Sequence, residues 1–174
     1  AGGIFTTAGG TAVNSVAKWN GNMWLPLASG VDAGVSALVM SDADLYAGGW
    51  FTNAGGTTVN NIARWDGNNW SALGAGIHGS VYALAVSGSE LYAGGYFTAA
   101  GETTANNIAK WNGNAWSPLG SGTDNEVFAL AVSDTNLYAG GNFLTAGDTN
   151  ANYIAKWDGS TWTALEADLD APIH

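Results

Sequence analysis

Cysteine is absent from the 174 residues. That excludes disulfides, thiolate metal ligands and thiol nucleophiles, whatever the compartment. Positive charge is scarce as well: four Lys and Arg stand against fourteen Asp and Glu, a formal net charge of −10. A phosphate backbone or an anionic membrane surface would meet repulsion instead of releasing counterions, which disfavours nucleic acid and membrane as partners. No apolar run approaches the roughly 18 residues of a membrane span, and no stretch carries the 3.6-residue apolar period of an amphipathic helix. The chain begins at Ala1 with neither an initiator Met nor a signal peptide, so a processed chain or a piece of a longer protein is expected.

What the sequence has in abundance is a repeat. "AGG" begins at Ala1, Ala47, Ala93 and Ala139, and the 46-residue step holds without insertion at Trp19, Trp65, Trp111 and Trp157, at Trp24, Trp70, Trp116 and Trp162, and at Phe5, Phe51, Phe97 and Phe143. With 47% hydrophobic residues, a chain of this length can bury about 70% of its unfolded surface. One domain over 1–174 is expected, built of repeats 1–46, 47–92, 93–138 and an incomplete 139–174.

Within each repeat, short apolar segments such as "VYALAV", "ELYAGGYF", "NNIAKW" and "WSPLG" alternate with Gly, Asn, Asp and Ser clusters. They predict four short strands per repeat. "WDGN" and "WNGN" put Asp-Gly or Asn-Gly where a hairpin needs φ > 0, and "SDAD", "SGSE" and "SDTN" supply the other turn. The strands are apolar on both faces, as at Ala83–Val86, so each sheet should be covered on both sides. The fold class is therefore all-β: a β-propeller of 46-residue, four-stranded blades, four repeats in this chain.

The order "VYALAV", "LYAGG", "NNIAKW", "WSPLG" resembles the Kelch-type blade. It is more similar still to the tandem "AGGxF…NIAxWdGxxWsaLGxG…VxALAV" repeats of bacterial secreted and surface proteins, which resemble fungal cell-polarity marker propellers. The resemblance implies architecture more than function, since propellers carry enzymes, lectins and scaffolds alike. The copper site of Kelch-like galactose oxidases is not matched by a chain without Cys and with only His78 and His174. No cofactor and no metal site is assigned. In the Kelch-like order, residues 1 to about 28 supply strands two to four of one blade, and full blades start at Val35, Val81 and Val127. Closure is then expected either as a four-bladed ring with an imperfect seam or, the favoured outcome, through association with a second chain. Glu166 and Asp168, which replace glycines of the sister repeats, and Asp170 beside them, would guard an edge against stray pairing or mark the exit from the array.

Several residues invite a functional reading. Glycines 48 and 49 and their counterparts are read as points of close backbone approach or positive φ. The repeated tryptophans, Trp19, Trp65, Trp111 and Trp157 among them, are read as filling between blades. All four cations, Lys18, Arg64, Lys110 and Lys156, occupy one repeat position just before a Trp. A structural role between blades is the main reading, a ring of charge binding an anion the other. "GAGIHG" at Gly74–Gly79 matches a dinucleotide fingerprint by letter but opens no helix, and its sister loops lose the pattern. "SDAD" at Ser41–Asp44 reads as a turn before a calcium loop, and "NWS" at Asn69–Ser71 is a weak glycosylation sequon. His78 stands where other repeats have Asp32, Asp124 and Asp170, in what reads as a solvated loop. Two slots vary between repeats: Ile4, Trp50, Tyr96 and Asn142 after the double glycine, and Ser36, Tyr82, Phe128 and His174 in the "VxAL" strand. Inter-blade packing is one reading of them. The other is a ligand site in which Trp50, Tyr96, Asn142, His78 and Asp124 serve sugar binding.

Paired carboxylates, metal-ligand clusters and nucleophile elbows do not emerge from the sequence, so an enzyme is not expected. The expectation is a non-enzymatic extracellular or cell-surface module for structure, adhesion or protein interaction, with a protein partner or itself, and a lectin with one shallow pocket per blade as the alternative.

Overall fold

The computed structural model describes residues 1–165 and 169–173, and among these no helix occurs. Three antiparallel meanders follow one another. Sheet I comprises Val35–Ser41, Asp44–Gly49, Ile62–Trp65 and Trp70–Ala72; sheet II comprises Ile77–Ser87, Glu90–Ala100, Ile108–Trp111 and Trp116–Pro118; sheet III comprises Val127–Ser133, Asn136–Gly141, Ile154–Trp157 and Trp162–Ala164. In each, the strands lie in sequence order, every one antiparallel to the strand before it. Ahead of them lies a half-sheet, Ala17–Trp19 paired with Trp24–Pro26. Its edge is extended by a bridge from Gly2 to Val16 and by the Ala1 amine, which donates to the Ala17 carbonyl at 2.8 Å.

Four strands per repeat is an undercount. After each double glycine the chain adds a miniature hairpin: Thr7–Ala8 with Thr11–Ala12, Asn53–Ala54 with Thr57–Thr58, Thr103–Thr104 against the extended end of Glu90–Ala100, and Thr145–Ala146 with Thr149–Asn150. Gly55 (φ 59°) and Gly56 (φ 90°) make one of these tight turns, a backbone that L-residues rarely adopt. The "WDGN" hairpin also differs from the two-residue turn the Asp-Gly pair suggests. Trp65 pairs with Trp70 across a four-residue loop, whose Asp66 carboxylate accepts the N–H groups of Asn68 and Asn69 at 2.8 and 2.7 Å. The asparagine before "IAKW" has a structural task of its own. Asn107 is buried at φ 62°, donates to the Thr123 carbonyl at 2.8 Å and accepts from the Phe97 N–H at 3.2 Å.

The core is divided among the seams. One cluster joins the half-sheet to sheet I around Val16, Leu27, Phe51 and Trp70; a second joins sheets I and II around Ile62, Leu73, Ile77 and Trp116; a third joins sheets II and III around Ile108, Leu119, Phe143 and Trp162. Sheets I and II are thus covered on both faces, while the ladders of different sheets stay separate among the described residues. The first strands stand side by side, Ile77–Ser87 between Val35–Ser41 and Val127–Ser133.

The first glycine of each pair sets the spacing of the seams, and the second admits the neighbouring strand of its own sheet. A Cβ on Gly48 would lie 2.5 Å from Val81 Cγ1, on Gly94 2.6 Å from Val127 Cγ1, and on Gly2 2.6 Å from Val35 Cγ1. Close approach, and not positive φ, is therefore the role of this glycine pair. Ile173 repeats the contact over Gly140, at 3.1 Å, and its N–H reaches the Gly141 carbonyl at 3.2 Å, matching Val35 N to Gly3 O at 3.0 Å. Glu166, Asp168 and His174 lie outside the described residues.

Candidate functional site: clefts at the sheet seams

Most of the repeated side chains are spent inside the fold. The second Trp of each pair is the buried one: Trp70, Trp116 and Trp162 are 5–6% exposed. Their indole N–H groups donate to the carbonyls of Leu27, Leu73 and Leu119 in the preceding repeat, at 3.0, 2.8 and 2.9 Å. Trp65, Trp111 and Trp157 lean on these rings with centroids 5.3–5.4 Å apart and stay half-buried, and Trp19 is largely exposed.

Two of the four cations also work within the fold, each inside one sheet and not between sheets. Arg64 Nε donates to Asp44 at 2.6 Å and Lys110 Nζ to Glu90 at 2.7 Å, each pair joining the second and third strands of one sheet. The bond from Lys110 holds the Glu90 carboxyl below the usual carboxylate range, and burial followed by the bond to Glu90 pushes the Tyr92 hydroxyl up to about 12. In sheet III Asn136 takes the place of the acid, leaving Lys156 without an ion pair among the described residues. Lys18, in the half-sheet, is exposed. The "GAGIHG" segment is a turn that runs into the strand Ile77–Ser87, and "SDAD" is the two-residue turn between Ser41 and its partner Asp44.

What remains lies along one edge, where the linkers between sheets meet the residues after the double glycines. Two clefts open there at equivalent repeat positions. The first, about 660 Å³, lies between the half-sheet and sheet I and is lined by Ile4, Asn14, Ser29, Asp32, Gly34 and Trp50 among others. The second, about 610 Å³, lies beside sheets II and III and is lined by His78, Tyr96, Thr98, Asn106, Asn107 and Asp124 among others. Ile4, Trp50 and Tyr96 are among the most exposed large apolar residues of the chain, at 76%, 45% and 59%.

Of the five candidate ligand residues, His78, Tyr96 and Asp124 meet in the second cleft, and Trp50 stands alone in the first. Asn142 is drawn aside: its amide donates to Glu126 Oε2 at 3.2 Å. His78 is not in a loop. It belongs to the strand Ile77–Ser87 and pairs with Ala99, because in this repeat the ladder runs on through a bulge at Gly79. At the same repeat position Asp32 and Asp124 cap the backbone. Asp32 accepts the Thr52 and Asn53 N–H groups at 2.8 and 2.9 Å and the Thr52 hydroxyl at 2.8 Å, and Asp124 accepts the Leu144 and Thr145 N–H groups at 2.9 Å each. Burial alone would raise the Asp32 carboxyl, but the bonds from Asn53 and Thr52 outweigh it and hold the group low.

Of the variable strand slot, Tyr82 and Phe128 stack on each other with centroids 5.5 Å apart. That is packing between adjacent first strands. One residue of the first cleft, Gly34, escapes a reading from sequence, although its repeat position changes in step with the aromatic slot: Gly34 with Trp50, Ser80 with Tyr96, Glu126 with Asn142.

Comparison with curated proteins returns no match. A family model does match, over residues 25–172, which takes in all three complete sheets. It describes a β-propeller and does not single out the Kelch type. By this match the chain belongs to the family of the Rax2 C-terminal β-propeller domain.

Proposed function

We propose that this chain is a non-enzymatic propeller module at the cell surface or outside the cell, whose sheets are blades and whose cleft-bearing edge is presented to a partner. One observation carries the reading. Many of the repeated polar side chains are consumed by the fold, in Asp caps, Asn staples and ion pairs within sheets, whereas in the variable slot after the double glycine the exposed residues Ile4, Trp50 and Tyr96 line clefts on one edge. Exposed apolar and aromatic groups rimmed by polar ones are the usual makeup of a recognition surface. A family of cell-surface, membrane-associated proteins fits that setting.

Beads coated with the chain, tested for attachment to cell and matrix surfaces, provide the test. The variant I4S/W50S/Y96S should melt as the wild type does and attach less. Attachment unchanged by the three substitutions would overturn the reading. A lectin is the second reading, favoured by the recurrence of one cleft geometry at two seams.

A further inference from the structure

We infer that the cleft between the half-sheet and sheet I is a binding site for a neutral saccharide, built on Trp50. The inference deepens the lectin reading and rests on the chain being a binding module. Gly34 is the starting point. A Cβ there would fall into the Trp50 indole, 2.7 Å from Cε2 and 2.9 Å from Cη2, so the ring lies against bare backbone. Gly34 is buried while Trp50 keeps 45% of its surface open. The indole is thus supported from one side and exposed to the cleft.

A sister repeat that carries a side chain at the supporting position has no indole: Tyr96 accompanies Ser80, and Asn142 bonds to Glu126. The platform at Trp50 is specific to this seam.

Fixed acceptors line the same cleft as the ring. Asn14 donates its Nδ2 to the Ser29 carbonyl at 2.7 Å, which leaves its Oδ1 as an acceptor, and Asp32 is locked by its bonds to Thr52 and Asn53. The Ser29 hydroxyl adds a group that both donates and accepts. A flat apolar face beside immobile acceptors suits a pyranose, whose C–H face stacks on an aromatic ring while its hydroxyls donate at the rim. A volume of about 660 Å³ lies in the range of roughly 300–1,000 Å³ usual for small-ligand sites. No lysine or arginine lines the cleft and one carboxylate does, so phosphorylated, sulfated and uronic-acid sugars are disfavoured and a neutral one is favoured.

The test titrates the purified chain with laminarihexaose, cellohexaose, mannohexaose and chitohexaose by calorimetry at millimolar sugar. Saturable binding of at least one is expected, weakened about tenfold or more by Trp50→Ala. Gly34→Val, which displaces the indole without removing it, should weaken binding likewise, and Tyr96→Ala in the other cleft should leave it unchanged. Thermal melts of each variant confirm that the fold persists. Absence of binding by all four sugars, Trp50→Ala binding as tightly as wild type, or equal loss in Tyr96→Ala would overturn the proposal. Bead attachment that still depends on the exposed residues, with no sugar bound, would sink the saccharide site and leave the module standing.

Discussion

The indole N–H of Trp70 donates to the Leu27 carbonyl, 3.0 Å away and 43 residues earlier in the chain. Trp116 and Trp162 repeat the bond to Leu73 and Leu119, so each ring both fills a seam and ties two sheets together. Trp116→Ala should cost about 3–5 kcal/mol in denaturant melts. Trp116→Phe keeps most of the apolar volume and loses one of two hydrogen bonds to the Leu73 carbonyl, which still accepts the Gly76 N–H at 3.1 Å, for about 1 kcal/mol. Trp65→Ala, at a half-buried ring, should cost less than Trp70→Ala. Trp19, 51% exposed, should tolerate Ala within about 0.5 kcal/mol. A Trp19→Ala loss equal to that of Trp116→Ala would contradict the seam role.

The 46-residue step made the sheets legible, because an uninterrupted repeat places Trp, Gly and Val of every unit in the same register. It did not reveal which tryptophan is deeper. Trp65 and Trp70 are cross-strand partners on one face, and only the neighbouring sheet decides which of them it covers. The small hairpins escaped notice because their strands are two residues of Thr, Ala or Asn, too short for any period to show. Asp32 and Asp124 offered no signal for a cap, since their donors lie 20 and 21 residues ahead and meet them only through tertiary folding.

Two glycines of one chain should respond differently to the same methyl group. At Gly95 the added carbon would overlap the Ser80 carbonyl and sit 3.0 Å from Val81 Cα, all of it backbone with no room to yield. Gly95→Ala should cost about 3 kcal/mol or more. Gly67 faces open space at φ 99°, so Gly67→Ala bears only backbone strain, about 1–2 kcal/mol. Equal losses in melts of the two variants would show that close approach to the neighbouring strand of the same sheet is not what fixes the second glycine of the pair.

The Lys110–Glu90–Tyr92 group predicts a pH response at both ends of the scale. Glu90 is held low by Lys110, so its contribution is present above the ordinary Glu value of about 4.3 and fades as pH falls through the folded value. Tyr92 is pushed up to about 12. The unfolded chain loses this proton near pH ~10 while the folded chain keeps it, so stability should drop as pH rises from ~10 toward 12. Tyr92→Phe should flatten that alkaline drop. Lys110→Met should cost about 1 kcal/mol or less, because both partners are about a third exposed, and the loss should shrink in high salt. A Tyr92→Phe protein that still lost stability as steeply would place the alkaline transition elsewhere.

Asp32 and His78 occupy one repeat position and do different work. Asp32 receives two N–H groups and a hydroxyl from Thr52 and Asn53, just past the second strand of sheet I, whereas at His78 the strand itself continues and pairs with Ala99. Removing the first strips three donors of their acceptor; removing the second leaves the ladder intact. Asp32→Ala should therefore destabilise by about 1–2 kcal/mol, in the manner of a lost helix cap, and His78→Ala should stay within about 0.5 kcal/mol. Because the Asp32 carboxyl is held low in the fold, its contribution should be complete above the unfolded value near ~3.9 and be lost on further acidification. Asp32→Ala should accordingly melt closer to the wild type as the pH falls below that value. Equal melting of Asp32→Ala and His78→Ala at neutral pH would refute the cap.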